Sequence, residues 1–426
     1  MTKWKYANLD AIRGLAAILI VFRHAPLLFH SPSFPQSYLA VDLFFAISGF
    51  VVANAYEARL RSGALGFLAF AKLRLIRLYP LYLIGVVLGL ASHFVAMAHL
   101  HQHGRPSATL LATTLFVLLS LLMLPSRATP LYLVNNPAWS LFYEIVANLA
   151  FAAIVRRAVP RILVLAMIPC AIVMLRYALD HHGIDEGWDL GKWYLALARV
   201  GFSFSAGVLL FRLRRGGPRP ASAAVSLLAL AAVLLMLCAK IPPRWTGPAA
   251  IAEVFVAIPL IVHAATSFEP PAWLALAFQM LGRVSYGLYI LHVPVLLLAY
   301  RLLEPHRHAV YGKPALAAFV AGMLVLVALL DRYVDAPLRA WLSRPARRST
   351  VTGSRNGLLA SRHLIPEPVP FSMTRTEASG CRMRASRGRS RRRHAALPRP
   401  STATGSRFRT RPACVTGRPA PSGPIT

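Results

Sequence analysis

The chain has 426 residues, of which 56% are hydrophobic and only 15% are charged, and its mean hydropathy is +0.53. This composition excludes an ordinary soluble globular protein. The net charge of +32 does not indicate nucleic-acid binding, because half of it comes from 18 arginines and two glutamates in residues 343–426. The remainder suits cytoplasmic loops beside anionic lipid headgroups. Four cysteines without a close pair predict neither a disulfide framework nor a zinc site.

Apolar runs of about 20 residues recur through the first 340 positions and predict an all-α, polytopic membrane protein. The first run carries Arg13 and His24 and lacks a small-residue cleavage site. We therefore expect a first transmembrane helix rather than a cleaved signal peptide. Eleven candidate segments lie at approximately 9–29, 38–56, 79–99, 108–124, 139–155, 161–177, 193–212, 220–240, 249–266, 283–302 and 313–334.

Charged connectors predict the orientation, because Lys and Arg are enriched on the cytoplasmic side of a membrane. Lys3 and Lys5 place the N-terminus in the cytoplasm. The acidic connector 180–189 suits the outside. The same rule places three basic connectors in the cytoplasm, at 57–78, 156–161 and 212–219.

The connectors 57–78 and 156–161 are separated by three candidate segments, although two would be required if both connectors are cytoplasmic. One of these segments is therefore expected to be re-entrant, or two of them form a single crossing. We predict about ten transmembrane helices, with both termini in the cytoplasm. The segments in question are 79–99, 108–124 and 139–155.

Arg13 and His24 are the most informative residues of the first segment. Eleven helical steps of roughly 100° bring both side chains to one face, about 16 Å apart along the axis. Ionisable groups inside an apolar segment are retained mainly where they face a cavity or take part in chemistry. The pair therefore predicts a site within the membrane.

Residues 343–426 differ from the preceding part, because Arg, Pro, Ser, Thr and Gly replace the apolar periodicity. Such a segment cannot bury enough apolar surface to fold, so we predict a transmembrane domain over 1–342 and a disordered tail over 343–426. The tail is interpreted either as a basic arm at the anionic inner leaflet or as a dispensable extension.

A series of sequence blocks, taken in order, resembles the membrane-bound acyltransferase family 3. The resemblance covers roughly residues 9–342, and the chain is expected to lack the hydrolase-like domain that some members carry. One small departure is Ala336, which separates Asp335 from a proline where an acid–Pro pair is more usual. The blocks are LDAIRGLAAILIVFRHA (9–25), AVDLFFAISGF (40–50), RLIRLYPLYL (74–83), NPAWSLFYEI (136–145), LGRVSYGLYILHVPV (281–295) and DRYVDAPLRAWL (331–342).

The resemblance implies that His24 is the general base, since a neutral imidazole can accept the proton of a hydroxyl. The alternative is a core histidine bonded to a neighbouring helix. Arg13 is expected to hold the phosphates or the pantetheine arm of acyl-CoA, or else to anchor the start of its helix beside Asp10. Arg74 and Arg77 share a helix face and are given the same nucleotide role, or serve only as cytoplasmic anchors.

Asp42 and Glu144 are acids inside apolar segments, where such groups are usually paired. Glu144 is assigned to catalysis with His24, either orienting the imidazole or binding the acceptor sugar. Asp42 is expected to pair with Arg13 or with a basic residue of another helix, and a purely structural ion pair remains the alternative for both acids. Ser48 is interpreted as a small residue that allows close helix packing rather than as a nucleophile, because no Gly-x-Ser-x-Gly elbow is present.

Five further polar or aromatic residues are assigned either to the substrate pocket or to structural hydrogen bonds. Trp139 is equally compatible with an acceptor pocket and with an interfacial anchor. Three residues of a later segment share one helix stripe, because they are three positions apart. The five residues are Trp139, Ser140, Tyr286, Tyr289 and His292.

No metal site is expected. His99, His101 and His103 alternate in a connector that has no carboxylate or cysteine nearby.

The resemblance implies an O-acyltransferase of the bacterial cytoplasmic membrane. It would transfer an acyl group, expected to be acetyl, from acyl-CoA to a hydroxyl of a surface or exported carbohydrate. No bound cofactor is expected, and the partners are membrane lipids and the two substrates. Direct transfer and an acyl-His24 intermediate both agree with the sequence. The acceptor position, acyl length and oligomeric state stay open.

The alternative function is a proton-coupled secondary transporter of a sugar or an organic anion, which also requires intramembrane charges. Against it, the Arg13–His24 arrangement has no counterpart in the second half of the chain, whereas many transporters contain internal repeats. A lipid-linked glycosyltransferase is disfavoured, because the acidic residues at 180–189 form a loose connector rather than a pair of carboxylates.

Deletion of 350–426 is expected to leave enzymatic activity intact, because the resemblance ends before this segment. The measurement compares turnover of the full chain with that of a correctly inserted truncation. Loss of turnover in the truncated protein would assign the basic arm an essential role.

Overall fold

The protein is represented by a computed structural model that describes residues 6–25, 34–102, 110–127, 130–214, 216–219, 221–303 and 313–344. These residues form helices without a β-strand; an isolated bridge joins Arg219 and Phe268. The helices are α1 (Ala7–His24), α2 (Ala40–Arg61), α3 (Phe67–Gln102), α4 (Leu110–Leu121), α5 (Ala138–Ile154), α6 (Pro160–His181), α7 (Trp193–Leu213), α8 (Ala223–Cys238), α9 (Pro243–Ala252), α10 (Ile258–Ser267), α11 (Ala272–Leu303), α12 (Lys313–Leu330) and α13 (Ala336–Leu342).

Four short helical turns complete these elements. Two are 3₁₀ turns, at Pro35–Leu39 before α2 and at Leu190–Lys192 before α7. Two are π-helical turns, Glu253–Ala257 between α9 and α10 and Asp331–Asp335 between α12 and α13. Each of these turns is continuous with the α-helix next to it. Counted in this way, the described residues form eleven helical segments, one for each predicted candidate.

Seven of the described helical segments are long and apolar enough to cross a membrane. The all-α, polytopic membrane class predicted from the sequence is therefore confirmed. The segment α1 has 18 residues and carries three charged side chains, Asp10, Arg13 and Arg23. The count of about ten crossings stays a prediction. The predicted disordered tail lies outside the described residues, apart from residues 343 and 344.

Small residues allow the central helices to pack closely. A Cβ atom added at Gly14 of α1 would lie 2.6 Å from the Cβ of Leu281 in α11. One added at Gly49 of α2 would lie 2.1 Å from the carbonyl oxygen of Phe204 in α7. Close helix contact through small residues is typical of membrane proteins, where apolar burial alone does not hold helices together. These contacts bring α1 against α11 and α2 against α7.

The connectors that follow α2, α5 and α7 meet at one end of the helices. Glu57 Oε1 accepts hydrogen bonds from Arg61 Nε at 2.7 Å and Arg212 Nε at 3.0 Å. Both arginines also donate to the carbonyl oxygen of Ala158. We call this end, marked by Glu57, Arg61 and Arg212, the basic end. The charge pattern predicts the same grouping of these three connectors.

The helix α1 also starts at the basic end. Arg214 follows α7 directly, and its guanidinium lies 5.2 Å from the ring centroid of Tyr6, the residue before α1. His24, at the other terminus of α1, therefore lies away from the basic end.

The part of α4 that the structure describes has 12 residues, which is about 18 Å, compared with a hydrocarbon core of about 30 Å. The hydroxyls of Tyr79 and Tyr82 donate to backbone carbonyls in its last turn, so α4 ends beside the first half of α3. The chain then runs back along α3, because Val134 packs against Gly89. The predicted re-entrant segment, or single crossing formed by two segments, stays a prediction.

An ion pair between Asp42 of α2 and Arg199 of α7 lies in the protein interior, where neither side chain is more than 1% exposed. Arg199 Nη2 donates to Asp42 Oδ2 at 2.6 Å, and Nη1 donates to the carbonyl oxygen of Glu186 at 2.8 Å. The same guanidinium lies 5.5 Å from the ring centroid of Trp139. One arginine thus joins α2, α5, α7 and the connector before α7.

Substitution of Arg199 with Met is expected to lower the free energy of unfolding by about 3 kcal/mol or more, because it leaves the Asp42 carboxylate buried without its partner. The double variant Asp42→Leu/Arg199→Met is expected to recover most of this loss. Thermal unfolding of the purified proteins in detergent measures both effects. A double variant no more stable than Arg199→Met would contradict the assignment.

Candidate functional site

A cavity lies between α1, α2, α3, α5 and α11. It contains about 840 Å³ of space, its open side included. The apolar part of its wall comes mainly from α2, and the polar part comes from all five helices. The polar lining residues are Arg13, Ser48, Arg74, Arg77, Ser140, Glu144, Ser285, Tyr286 and Tyr289.

Three arginines from two helices converge on this cavity. Arg13 belongs to α1, and Arg74 and Arg77 belong to the first three turns of α3. The three-residue spacing predicted that Arg74 and Arg77 share one helix face, and both line the cavity. Since α1 and α3 start at the basic end, the arginines lie in the half of the cavity nearer to that end.

Carboxylates hold Arg74 and Arg77 in place. Arg74 Nη2 lies 3.2 Å from Glu144 Oε1 of α5. Arg77 Nη1 lies 3.9 Å from Asp335 Oδ2, and its guanidinium lies 5.9 Å from the ring centroid of Tyr286. Asp335 is also paired at 2.7 Å with Arg339. Arg339 is in turn 3.2 Å from Asp331, so Arg77 and Arg339 share two carboxylates.

Glu144 and Ser48 act together in the cavity wall. Ser48 Oγ donates to Glu144 Oε1 at 2.6 Å, the same oxygen that contacts Arg74. Among the described residues, Glu144 forms no hydrogen bond to His24. The expected catalytic role of Glu144 stays a prediction, and its contacts are those of a residue that positions an arginine.

Tyr289 lines the cavity on the side away from the arginines. Its hydroxyl is within hydrogen-bonding distance of Ser140 Oγ, at 2.5 Å, and donates to the carbonyl oxygen of Pro137 at 3.3 Å. Its ring packs edge-on against Phe44, with centroids 5.4 Å apart. Tyr286, one turn earlier on α11, donates to the carbonyl oxygen of Leu78 in α3. These contacts fix α11 against α2, α3 and α5.

His24 and His292 form a pair beyond Tyr289. His24 Nδ1 lies 3.1 Å from His292 Nε2, and the ring centroids are 4.9 Å apart. His292 follows Tyr289 by one helical turn and is 1% exposed. Neither histidine lines the cavity itself. The structure thus places the titratable pair next to the cavity, on the side farther from the basic end.

The remaining predicted residues lie outside the cavity. Asp42 pairs with Arg199, a basic residue of another helix, which is one of the alternatives predicted for it. Trp139 is 7% exposed and packs against the Arg199 guanidinium. Both residues therefore contribute structural contacts, while the other predicted residues line the cavity or lie next to it.

The role of Arg199 was not predicted from the sequence. Neither was the ion pair between Arg23 and Asp185, which joins the end of α1 to the acidic connector. An arginine within an apolar segment is itself a signal of a buried partner, and Arg199 carried that signal. Asn135 was also missed. It is 1% exposed, and neither atom of its amide group has a hydrogen-bond partner among the described residues.

No group of three or more metal-binding side chains occurs within the described ranges. The side chains of His99 and His101, and the whole of His103, lie outside those ranges. The absence of a metal site there stays a prediction.

Two comparisons relate the chain to known proteins. A family described as an acyltransferase domain matches residues 6–330. Protein 2 in the picA locus of Rhizobium radiobacter is 39% identical over 191 residues, which cover 41% of this chain and 96% of the relative. No solved structure shows significant similarity to the chain.

Substitution of Ser48 with Ala is expected to reduce acyl transfer by at most about tenfold, because Ser48 only donates one hydrogen bond to Glu144 and Arg74 still contacts that carboxylate. The rate is measured in membranes that contain equal amounts of each protein. A loss of a thousandfold or more, on the order expected for removal of a nucleophile, would contradict this interpretation.

Proposed function

The chain belongs to this acyltransferase family and is an O-acyltransferase, and we propose that it moves an acyl group from acyl-CoA to a hydroxyl of a carbohydrate. Membership in the family favours the enzyme over the transporter that the sequence left open. The observation that carries the proposal is the cavity itself, with three arginines in one half and a histidine pair beyond its opposite wall.

The arginine half of the cavity suits the donor. Arg13, Arg74 and Arg77 face Glu144, which is the one carboxylate in the described lining. Guanidinium groups bind phosphate through paired, charge-assisted hydrogen bonds, so three of them in one lining suit an anionic ligand. Acyl-CoA carries several phosphates on one end of a long flexible arm and the reactive thioester on the other.

The dimensions of α1 suit that molecule. Arg13 and His24 are eleven residues apart, which is about 16 Å along the helix. Phosphates held near Arg13 would therefore leave the pantetheine arm to reach past Tyr289 toward His24. The cavity lining is apolar on the α2 side, as an extended arm would require.

The orientation follows from the same features. We propose that the basic end faces the cytoplasm, in agreement with the enrichment of Lys and Arg on that side of bacterial membranes. The start of α1 and the arginines then lie on the side where acyl-CoA is available. His24 and the connector that contains Asp185 lie toward the opposite side, where the acceptor carbohydrate would approach.

The chemistry assigned to His24 is general-base catalysis. His24 takes the proton of the acceptor hydroxyl while the hydroxyl oxygen attacks the thioester carbonyl carbon. The carbon–sulfur bond then breaks, and the departing thiolate of CoA takes the proton from His24. An acyl group moves from sulfur to oxygen, and no external acid or base is consumed.

Substitution of Arg13 with Ala is expected to raise the KM for acetyl-CoA by about tenfold or more, because a charge-assisted hydrogen bond to the donor is lost. The assay follows CoA release by purified protein in lipid vesicles, with and without a carbohydrate acceptor. Arg156→Ala is the matched control, because this arginine is exposed near the basic end and does not line the cavity.

Three outcomes would each contradict a part of the proposal. An unchanged KM in Arg13→Ala would leave this residue with an anchoring role alone. CoA release that does not depend on any acceptor, or acceptor movement across the vesicle membrane without CoA release, would contradict acyl transfer to a carbohydrate.

A further inference from the structure

The contact between His24 and His292 constrains which ring nitrogens carry protons. A neutral imidazole has one nitrogen that donates and one that accepts, and the partners of each nitrogen decide which is which. Here three of the four ring nitrogens have identified partners. The contacts of His292 with α11 therefore determine the tautomer of His292, and that tautomer determines the tautomer of His24.

Hydrogen bonds to its own helix fix the tautomer of His292. Its Nδ1 lies 2.8 Å from the carbonyl oxygen of Tyr289 and 3.0 Å from that of Leu288. Carbonyl oxygens only accept hydrogen bonds, so Nδ1 of His292 must carry the proton. In the neutral ring the other nitrogen, Nε2, then presents a lone pair. That nitrogen is the one directed at His24.

The tautomer of His24 is fixed by its contacts with Ile20 and His292. Its Nδ1 lies 3.1 Å from the carbonyl oxygen of Ile20 and 3.1 Å from Nε2 of His292. Both of these partners are acceptors, so Nδ1 of His24 carries the proton. The lone pair of neutral His24 is consequently on Nε2, and this is the nitrogen that remains available to a substrate.

We propose that His292 is a positioning residue that holds His24 in the tautomer with its basic nitrogen at Nε2. The inference rests on the proposed function, in which His24 removes the proton of the acceptor hydroxyl. A protein group that binds the far nitrogen of a catalytic histidine sets both the tautomer and the ring orientation, and such a group is usually a carboxylate. In this protein a second histidine takes that place.

The described carboxylates do not compete for this role. Glu144 contacts Arg74 and Ser48, and Asp185 pairs with Arg23. The nitrogen Nδ1 of His24 is therefore left with the two acceptors identified above. A neutral acceptor also avoids placing a carboxylate within the membrane next to His24, where its desolvation would be costly.

The proton steps balance. The acceptor hydroxyl gives its proton to Nε2 of His24, which becomes an imidazolium while Nδ1–H still donates to His292 Nε2. The oxygen–carbon bond forms, the carbon–sulfur bond breaks, and the CoA thiolate takes the proton back from Nε2. His292 neither gains nor loses a proton over the cycle and touches no reacting atom.

The position of His292 is coupled to the cavity through Tyr289. The carbonyl oxygen of Tyr289 accepts from His292 Nδ1, while its side chain is held by Ser140 and packs against Phe44. Tyr289, which lines the cavity, therefore also orients His292, and His292 in turn orients His24.

Two substitutions test the acceptor function of His292. His292→Phe keeps a ring and removes the acceptor, and it is expected to lower kcat by about 10- to 100-fold, with the KM for acetyl-CoA within about twofold of wild type. His292→Gln retains an amide oxygen that can accept from His24, and it is expected to keep most of the turnover. His263→Phe, a change of an exposed histidine in α10, is the matched control and should leave both constants unchanged.

The tautomer itself can be measured by ¹⁵N NMR on protein labelled at histidine, with the His24 signals assigned from their loss in His24→Ala. Wild-type protein is expected to show neutral His24 with its proton on Nδ1, and His292→Phe to show a mixture of tautomers. A wild-type spectrum with the proton on Nε2 would overturn the proposal without any variant of His292, and so would full turnover of His292→Phe with an unchanged spectrum.

The His24→Ala variant separates the two proposals. If it retains near-normal turnover, the proposed function of His24 fails. If it is inactive while His292→Phe keeps a normal kcat, only the positioning role of His292 fails.

Discussion

Charged side chains that are kept away from water require partners, and this constraint governs how the central helices of the protein are joined. Asp42 of α2 binds Arg199 of α7, and Glu144 of α5 binds Arg74 of α3. Each pair connects helices that are far apart in sequence, so the pairs define which helix faces meet. The cavity lies where these faces leave room between them. Its charges are thus set by the contacts that hold the helices together.

The cavity and the histidine pair divide the site into two environments. Arg13, Arg74 and Arg77 place three guanidinium groups in one half, where Glu144 is the one carboxylate among the described lining residues. Beyond Tyr289, the contacts of His24 are those of an uncharged ring. The first environment suits recognition of a phosphate-bearing donor, and the second suits proton transfer. The helices α1 and α11 pack against each other, and each contributes side chains to the cavity and to the histidine pair. Their contact therefore fixes the position of one environment relative to the other.

Much of this arrangement was accessible from the sequence, and the rest depended on tertiary contacts. Hydropathy predicted the eleven helical segments. The conflict between basic connectors predicted a re-entrant segment or a single crossing formed by two segments, and this stays a prediction. Helical spacing predicted that Arg74 and Arg77 share a face. The partner of Asp42 could not be chosen, because Arg199 is 157 residues away. The contact between His24 and His292 spans 268 residues, and no local pattern reports it.

The chemistry proposed for His24 is acyl transfer to a carbohydrate. The most direct test is comparative mass spectrometry of the surface glycans from cells that contain equal amounts of the wild-type protein or of His24→Ala. We expect the glycans of wild-type cells to carry an acyl mass increment that is absent from the His24→Ala cells. Glycans with the same acyl content in both kinds of cell would contradict it.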